Sequence, residues 1–208
     1  MVESQIRPHD VTDINIQDAF LKTPREAFLP SGLKEQAYVE REIEFAPGRS
    51  LVAARDHAKL LAAADISASH LVLDVAAGRG YSTAILSQIC DMVVAVEEGE
   101  DAVAKAEETL SGIGVVNAAV VAGKPVEGVA KQGPFDRIVL AGAAETVPEA
   151  LLAQLKDGGI LAILLVEDGV SRGVVFARNG EAFSRRDVFD ASATNITEGF
   201  KQEKAFAF

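Results

Sequence analysis

The fold is decided by residues 71–82, which read LVLDVAAGRGYS. A short apolar strand ends at Asp74, a loop of small residues follows, and a helical pattern begins at the end of the stretch. Gly78 and Gly80 have no Cβ atoms, so the loop can turn tightly and a ligand can approach its backbone. A dinucleotide-binding loop would carry Gly or Ala where Thr83 stands, so the loop is a poor cradle for a pyrophosphate. The stretch predicts a strand, a ligand-binding loop and a helix.

Further strands and helices alternate outward from this stretch. Apolar runs of strand length lie at residues 71–73, 92–96, 115–121, 138–140 and 160–166. Helical patterns lie between them at residues 82–89, 101–110 and 147–155. Strands that are apolar on both faces and alternate with helices indicate a parallel sheet covered on both sides. We therefore expect an α/β protein with a Rossmann-like, doubly wound and mostly parallel sheet.

The C-terminal part departs from this alternation. Strand-like pieces at residues 173–177 and 186–189 flank the turn signal Asn179-Gly180, which predicts an antiparallel C-terminal edge to the sheet. The aromatic tail at residues 204–208 is expected to form a terminal strand or to fill an apolar groove.

The N-terminal part is irregular. Residues 1–55 hold short helical patterns broken by prolines, and Thr12-Asp13 can cap one of them. An Ala- and Leu-rich helical run follows at residues 56–64. We expect one domain over residues 1–208, with an N-terminal helical extension at 1–55 and a Rossmann-like core at 56–208.

Composition limits the partners. The 208 residues include 20 Lys+Arg and 31 Asp+Glu, giving a formal charge of −11 with no basic run. Clustered cations are what nucleic acids and anionic membranes require, so neither is an expected partner. Cys90 is the only cysteine, which leaves no disulfide or thiolate metal site, and we expect it to be a buried small hydrophobe. No signal peptide or apolar run long enough to cross a membrane is apparent, so we expect a cytoplasmic protein. We also expect no metal.

Glu97 supplies a second sign of a nucleoside ligand. It follows the apolar run at 92–96 and lies 17 residues beyond Gly80. An acid at the end of the next strand can accept hydrogen bonds from both ribose hydroxyls. The order of strand, glycine loop, helix, strand and acid therefore predicts an adenosine-binding site.

The loop resembles the Asp-x-Gly-x-Gly-x-Gly loop of class I methyltransferases, with Ala76 in place of the first Gly. A more specific resemblance, to the protein-L-isoaspartate O-methyltransferase family, covers residues 1 to about 165. It rests on segments similar to that family's MVExQLR, VPRExFVP, AY, APFD and QLKxGG motifs, which here read MVESQIR, TPREAFLP, AY, GPFD and QLKDGG. The N-terminal segments carry the most weight, because general methyltransferase resemblance would not extend there.

This resemblance implies S-adenosylmethionine as methyl donor and a protein carboxylate as acceptor. Members methylate the α-carboxyl group of isoaspartyl residues, and the resulting ester collapses to a succinimide and permits repair. The expected partner is therefore a protein or peptide carrying isoaspartate, or another small acceptor, and the enzyme could be a monomer or a homodimer. The resemblance assigns donor contacts to Asp74, Ala76, Gly78, Gly80, Glu97, His57, Gly123 and Lys124.

The acceptor segment departs from the family pattern. Where the family has Gln-Thr-Ile-Ser, this chain has Arg49-Ser50-Leu51-Val52, so a valine stands at the position usually assigned to catalysis. Valine cannot donate a hydrogen bond to a carboxylate. The candidates that remain are the Ser50 hydroxyl, about 6–7 Å away along an extended segment, and bidentate pairing by Arg49 or Arg55.

Two further departures concern the donor. The family's Gly-Asp-Gly after the third strand is Gly123-Lys124-Pro125 here, so the acid that contacts the adenine is missing and only the Lys124 backbone N–H remains. Residues 141–144, AGAA, stand where the family has Thr-Ala-Ala, which removes a hydroxyl.

Three hypotheses remain open: an isoaspartyl-type carboxyl methyltransferase, a methyltransferase of this fold with another acceptor, and a non-catalytic donor-binding or interaction module.

Overall fold

A seven-stranded sheet forms the centre of the computed structural model, which describes residues 1–202. Along the chain its strands are β3, β4, β5, β6, β7, β8 and β9, and their spatial order is β5-β4-β3-β6-β7-β8-β9. Their bounds are Leu71–Val75, Met92–Glu97, Ala118–Ala122, Phe135–Ala144, Leu155–Glu167, Val170–Asn179 and Ala182–Asp190. The first five run parallel, β8 runs antiparallel to β7, and β9 runs antiparallel to β8. This confirms the predicted mostly parallel α/β sheet with an antiparallel C-terminal edge.

The helices cover both faces of the parallel strands, where apolar side chains form two buried clusters. The α-helices α1 to α5 span Ile14–Lys22, Ala54–Ala64, Tyr81–Leu86, Glu100–Gly112 and Glu149–Leu152. Asp13 caps α1 through its side chain, which accepts a hydrogen bond from the Asn15 amide at 2.8 Å. Cys90 is buried as expected, and burial raises the pKa of its thiol to about 12.

Three local predictions differ from the structure in the bounds of the element. The helix expected at residues 147–155 is one turn long, because it starts only after Pro148 and the chain enters β7 at Leu155. The strand expected from residue 115 begins at Ala118. The two-residue turn between β8 and β9 is Gly180-Glu181, one residue later than Asn179-Gly180, with Gly180 at φ 60°.

The N-terminal part adds an unpredicted feature, a two-stranded antiparallel hairpin made of β1 (Ile43–Ala46) and β2 (Arg49–Leu51). Pro47 and Gly48 form its turn, and Gly48 has a φ of 63°, a conformation that favours glycine. Before it the chain forms α1 and short helices at Val2–Ile6, Arg7–His9, Arg25–Phe28 and Ser31–Gln36. The tail at 204–208 lies outside the described residues, within which no helix is long and apolar enough to cross a membrane.

Candidate active site

The glycine loop lies where the sequence predicts it, at the carboxyl end of β3 near the centre of the sheet. Ala76, Gly78 and Gly80 have φ values of 55°, 60° and 90°, so three residues of this short loop lie in the left-handed region. A Cβ on Gly78 would lie 2.9 Å from the Phe45 ring, and one on Gly80 would lie 3.0 Å from Leu110. The loop therefore requires glycine at both positions for conformation and for space.

Asp74 is buried at the end of β3 and has one unused oxygen. Its Oδ2 accepts a hydrogen bond from the Thr83 hydroxyl at 2.6 Å, whereas its Oδ1 has no hydrogen-bond partner. Burial raises the pKa of Asp74 to about 7, against the neighbouring Thr83 and Ser82 hydroxyls, which lower it. A buried acceptor without a donor is costly, so Oδ1 is ready for a donor from a ligand.

Glu97 is buried at the end of β4, beside the glycine loop, as predicted. Its carboxylate accepts hydrogen bonds from the backbone amides of Gly78 at 2.6 Å and Glu98 at 2.7 Å. It also receives the Arg49 side chain, with Nη2 at 2.7 Å from Oε1 and Nε at 3.1 Å from both oxygens. The structure thus joins two predicted site residues, Arg49 and Glu97, as an ion pair whose side chains are 10% and 3% exposed.

Two adjoining spaces meet at the hairpin. A small, partly open cavity of about 30 Å³, enough for one or two water molecules, lies between the acceptor segment and the loop after β3. Its lining includes Arg49, Ser50, Val52, His57, Asp74, Ala76, Gly78, Tyr81, Ser82, Gly142 and Thr197. An open groove of about 870 Å³ lies beyond, lined among others by Phe45, Arg49, Gly78, Arg79, Glu97, Asp101 and Glu198. The groove has the size of a small-molecule site.

His57, for which the resemblance implies a donor contact, is buried in α2. Its ring packs edge-on against Phe20 and Tyr81, with centroids 5.2 Å and 5.8 Å away. Burial, assisted by the nearby charge of Arg25, lowers the pKa of His57 to about 3, so the imidazole is neutral at physiological pH. Its Nε2 has no hydrogen-bond partner.

Arg25 is a residue that sequence reasoning missed. It is 1% exposed, its Nη2 donates to the Val52 carbonyl oxygen at 2.6 Å, and its guanidinium lies 4.8 Å from the centre of the Tyr81 ring. It therefore fixes the backbone of the acceptor segment against α3. Its position within a motif that resembles the family was the only available signal, because the contact spans 27 residues of sequence.

The other acceptor candidates are placed differently. Ser50 lines the cavity, and its hydroxyl accepts a hydrogen bond from the Asn195 side-chain amide at 2.6 Å. Arg55 does not line the cavity: its Nε pairs with Asp56 at 2.9 Å, and Asp56 in turn accepts hydrogen bonds from Ser192. Asp56 therefore ties α2 to the chain after β9, and Arg55 is held by its pairing with Asp56.

Gly123 and Lys124 follow β5. The Gly123 amide donates to the Glu97 carbonyl oxygen at 3.1 Å, which keeps this turn beside the end of β4. The Lys124 side chain is 66% exposed and lies 3.4 Å from Glu127 Oε1, so it points away from the cavity. Neither Gly123 nor Lys124 lines the small cavity or the open groove. Within residues 1–202 no cluster of three or more His, Cys, Asp or Glu could hold a metal.

The chain after β9 completes the site, a contribution that the sequence did not reveal. We call residues 191–202 the C-terminal segment. Its Ile196 bridges to Ala143 of β6, and the Glu198 amide donates to the Gly48 carbonyl oxygen at 3.3 Å. Thr197 lines the small cavity with its hydroxyl directed at Gly142. The segment thus places a hydroxyl beside Gly142, and residues 141–144 lie within β6 rather than beyond it.

Gly142→Ala is expected to lower the free energy of unfolding by about 1–3 kcal/mol. A Cβ at this position would lie 2.4 Å from the Thr197 Oγ1, so the C-terminal segment has to shift. The double variant Gly142→Ala/Thr197→Ala should recover most of the loss in a urea titration. Gly112→Ala is the control, since its Cβ would meet nothing within 4 Å. Equal effects of the two alanines would contradict the placement of Thr197.

The strand order, the glycine loop after β3 and the buried acid after β4 together define the class I methyltransferase fold. The profile described as protein-L-isoaspartate(D-aspartate) O-methyltransferase matches residues 1–191. The chain therefore belongs to the protein-L-isoaspartate O-methyltransferase family, which confirms the resemblance drawn from its motifs.

Relatives agree with this assignment. The chain is 34% identical over 158 residues to the protein-L-isoaspartate O-methyltransferase of Vibrio campbellii (strain ATCC BAA-1116), covering 76% of each chain. It is 29% identical over 194 residues to that of Maricaulis maris (strain MCS10), covering 93% of this chain and 91% of the other. In fold it is similar to a Plasmodium falciparum protein described as a protein-L-isoaspartate O-methyltransferase, solved in complex with S-adenosyl-L-homocysteine. That comparison gives a TM-score of 0.79 at 19% identity, covering 95% of this chain and 97% of the other.

Proposed function

We propose that the protein transfers the methyl group of S-adenosylmethionine to the carboxylate of isoaspartyl residues in proteins or peptides. Family membership over residues 1–191 supports the class of reaction. The observation that carries the proposal is the small cavity, because the unpartnered Oδ1 of Asp74 and the acceptor segment around Val52 both belong to residues that line it. A donor held by the loop would therefore face an acceptor held by the hairpin.

The residues of the loop and of β4 fit the donor. The unpartnered Asp74 Oδ1 suits a cationic or N–H group, and the left-handed backbone at Ala76, Gly78 and Gly80 lets a ligand approach the main chain. Glu97 suits two ribose hydroxyls once its guanidinium partner has moved. We propose His57, Gly123 and the Lys124 backbone as the remaining donor contacts. When bound, the donor supplies a methyl group made electrophilic by its sulfonium.

The chain's own part in the reaction is to position an acceptor that is already anionic. A carboxylate needs no strong base, so alignment and exclusion of water supply most of what the protein can add. His57 serves this purpose because its ring, with a pKa of about 3, is neutral near pH 7 and does not act as an acid toward the acceptor carboxylate. Leu51, Val52 and Tyr81 give the cavity apolar walls.

A methyltransferase with a smaller acceptor is the second candidate. Two observations favour it: Val52 has no hydroxyl where the family has serine, and the cavity of about 30 Å³ is far too small for a peptide residue without movement of the hairpin. A non-catalytic donor-binding module would share the donor site with both enzyme candidates.

Transfer of labelled methyl from S-adenosylmethionine to an isoaspartyl peptide tests the proposal. The same peptide with ordinary aspartate is the control, and we expect incorporation only into the isoaspartyl form. Calorimetry with S-adenosylhomocysteine separates the alternatives. Donor binding without transfer to the peptide would exclude the repair activity, and the absence of binding at millimolar ligand would exclude both enzyme candidates.

A further inference from the structure

The Arg49–Glu97 contact fills the carboxylate that the donor's ribose is expected to use. Four N–H groups point at the two oxygens of Glu97: the Gly78 and Glu98 amides and the Nε and Nη2 of Arg49. A carboxylate has about four lone-pair sites, so no acceptor remains for a pair of ribose hydroxyls. The two amides belong to the loop and to β4 itself, so Arg49 is the partner that can leave.

Arg49 is placed to move because it belongs to the hairpin and not to the sheet. Its strand β2 pairs only with β1 among the described strands, and the remaining contact of its guanidinium is Nη1 to the Gly48 carbonyl oxygen at 3.0 Å. Arg49 lines both the open groove that holds Glu97 and the small cavity beside Val52. A guanidinium released from Glu97 therefore stays at the junction between the donor side and the acceptor side.

The second guanidinium near the acceptor segment, that of Arg25, bonds to the Val52 carbonyl oxygen and does not line the small cavity. Among the residues that line the small cavity in the described part of the chain, Arg49 is the only Lys or Arg, and the imidazole of His57 is neutral. A carboxylate that enters this small cavity needs a charged, hydrogen-bonding partner, because a buried unpaired charge is costly. Arginine meets that need with two parallel N–H groups.

We propose that Arg49 is exchanged between two carboxylates: the donor's ribose displaces it from Glu97, and it then binds the carboxylate of the methyl acceptor. Arg49 is thereby a specificity-determining residue that makes binding ordered, with the donor first. The displacement of Arg49 from Glu97 depends on donor binding alone, whereas the role of Arg49 toward the acceptor rests on the proposed function. Arg49 stands where the family has glutamine, so the exchange is a property of this chain's own sequence.

Arg49→Gln tests both the displacement by the donor and the role toward the acceptor, because it is expected to strengthen donor binding and to weaken acceptor binding. Calorimetry should show S-adenosylhomocysteine binding about 10-fold more tightly than to the wild type, since the ribose no longer competes with a charge-assisted hydrogen bond. The KM for an isoaspartyl peptide should rise about 10-fold, because the acceptor carboxylate loses its charge-assisted hydrogen bonds to the guanidinium. Arg49→Lys, which keeps the charge, should restore part of the loss in KM. Arg41→Gln, an exposed position, controls for the change in net charge and should leave both values unchanged.

The outcomes are separable. Unchanged or weaker S-adenosylhomocysteine binding to Arg49→Gln would overturn the displacement. Tighter binding with an unchanged KM would overturn the acceptor role, as would peptide binding to the wild type that is equally strong with and without S-adenosylhomocysteine. A wild-type protein that transfers no methyl to the peptide would overturn the proposed function together with the acceptor role, while tighter binding to the variant would still support the displacement.

Discussion

Asp74→Asn is expected to stabilise the folded protein above pH 7 and at the same time to remove donor binding. In the wild type the carboxyl group is 1% exposed, and burial raises its pKa from 3.8 to about 7. Asparagine keeps an oxygen for the Thr83 hydroxyl but carries no charge to be buried. The position of Oδ1 is then taken by the amide –NH2, which donates and does not accept, so we expect S-adenosylhomocysteine to bind at least about 30-fold more weakly.

The sign of the pH dependence follows from the raised pKa. Between pH 4 and pH 7 the folded state of the wild type holds a proton on Asp74 that the unfolded state has lost, so folding stability decreases as the pH rises. The variant lacks this decrease. The stability difference between variant and wild type should therefore be near zero at pH 4 and grow to as much as about 4 kcal/mol above pH 7.

Urea titrations from pH 4 to pH 8 measure this difference, and Asp136→Asn provides a control of opposite sign. Partial burial raises the pKa of Asp136, but hydrogen bonds from Lys156 and from the Leu71 amide outweigh it and lower the pKa. Its amide variant should therefore lose stability at neutral pH. A destabilised Asp74→Asn at pH 8, or donor binding equal to that of the wild type, would contradict the role given to Asp74.

The donor side of the site could be predicted from sequence because it is built locally. Parallel strands place their carboxyl ends at one edge of a sheet, so Asp74, the glycine loop and Glu97 are neighbours once β3 and β4 pair. The register confirms this, since Val75 lies opposite Val96 and the Gly78 amide reaches the Glu97 carboxylate. Short-range patterns of apolar and small residues were sufficient for these positions.

The acceptor side could not be predicted because long-range contacts build it. Arg49 lies 48 residues from Glu97, and Ser50 lies 145 residues from its partner Asn195. The spacing of apolar residues gives no information on such pairs, and a sequence does not distinguish an arginine in an ion pair from a solvated one. The same limit applies to Thr197, which lies beside Gly142 because the C-terminal segment pairs with β6 through Ile196 and Ala143.

Val52→Thr is expected to raise the rate of methyl transfer to an isoaspartyl peptide by about 10–100-fold, if measured as kcat/KM at low substrate. Val52 is 2% exposed and lines the cavity, so a hydroxyl at this position faces the place proposed for the acceptor carboxylate. Threonine has nearly the shape of valine and adds one donor, and a hydrogen bond to a charged group contributes about 1.5–3 kcal/mol. Labelled methyl transfer measures the gain.

The size of the side chain and its hydroxyl have to be separated, because the cavity is small. Val52→Ala enlarges the space without adding a donor, whereas Val52→Ser does both, so the proposed role requires gains in the serine and threonine variants and none in the alanine variant. The Arg25 contact to the Val52 carbonyl oxygen is common to all three, since it involves only the backbone of residue 52. An alanine variant as active as the other two would mean that the volume of the cavity, and not a missing hydrogen bond, limits methyl transfer to the acceptor. That result would favour the smaller acceptor over an isoaspartyl residue.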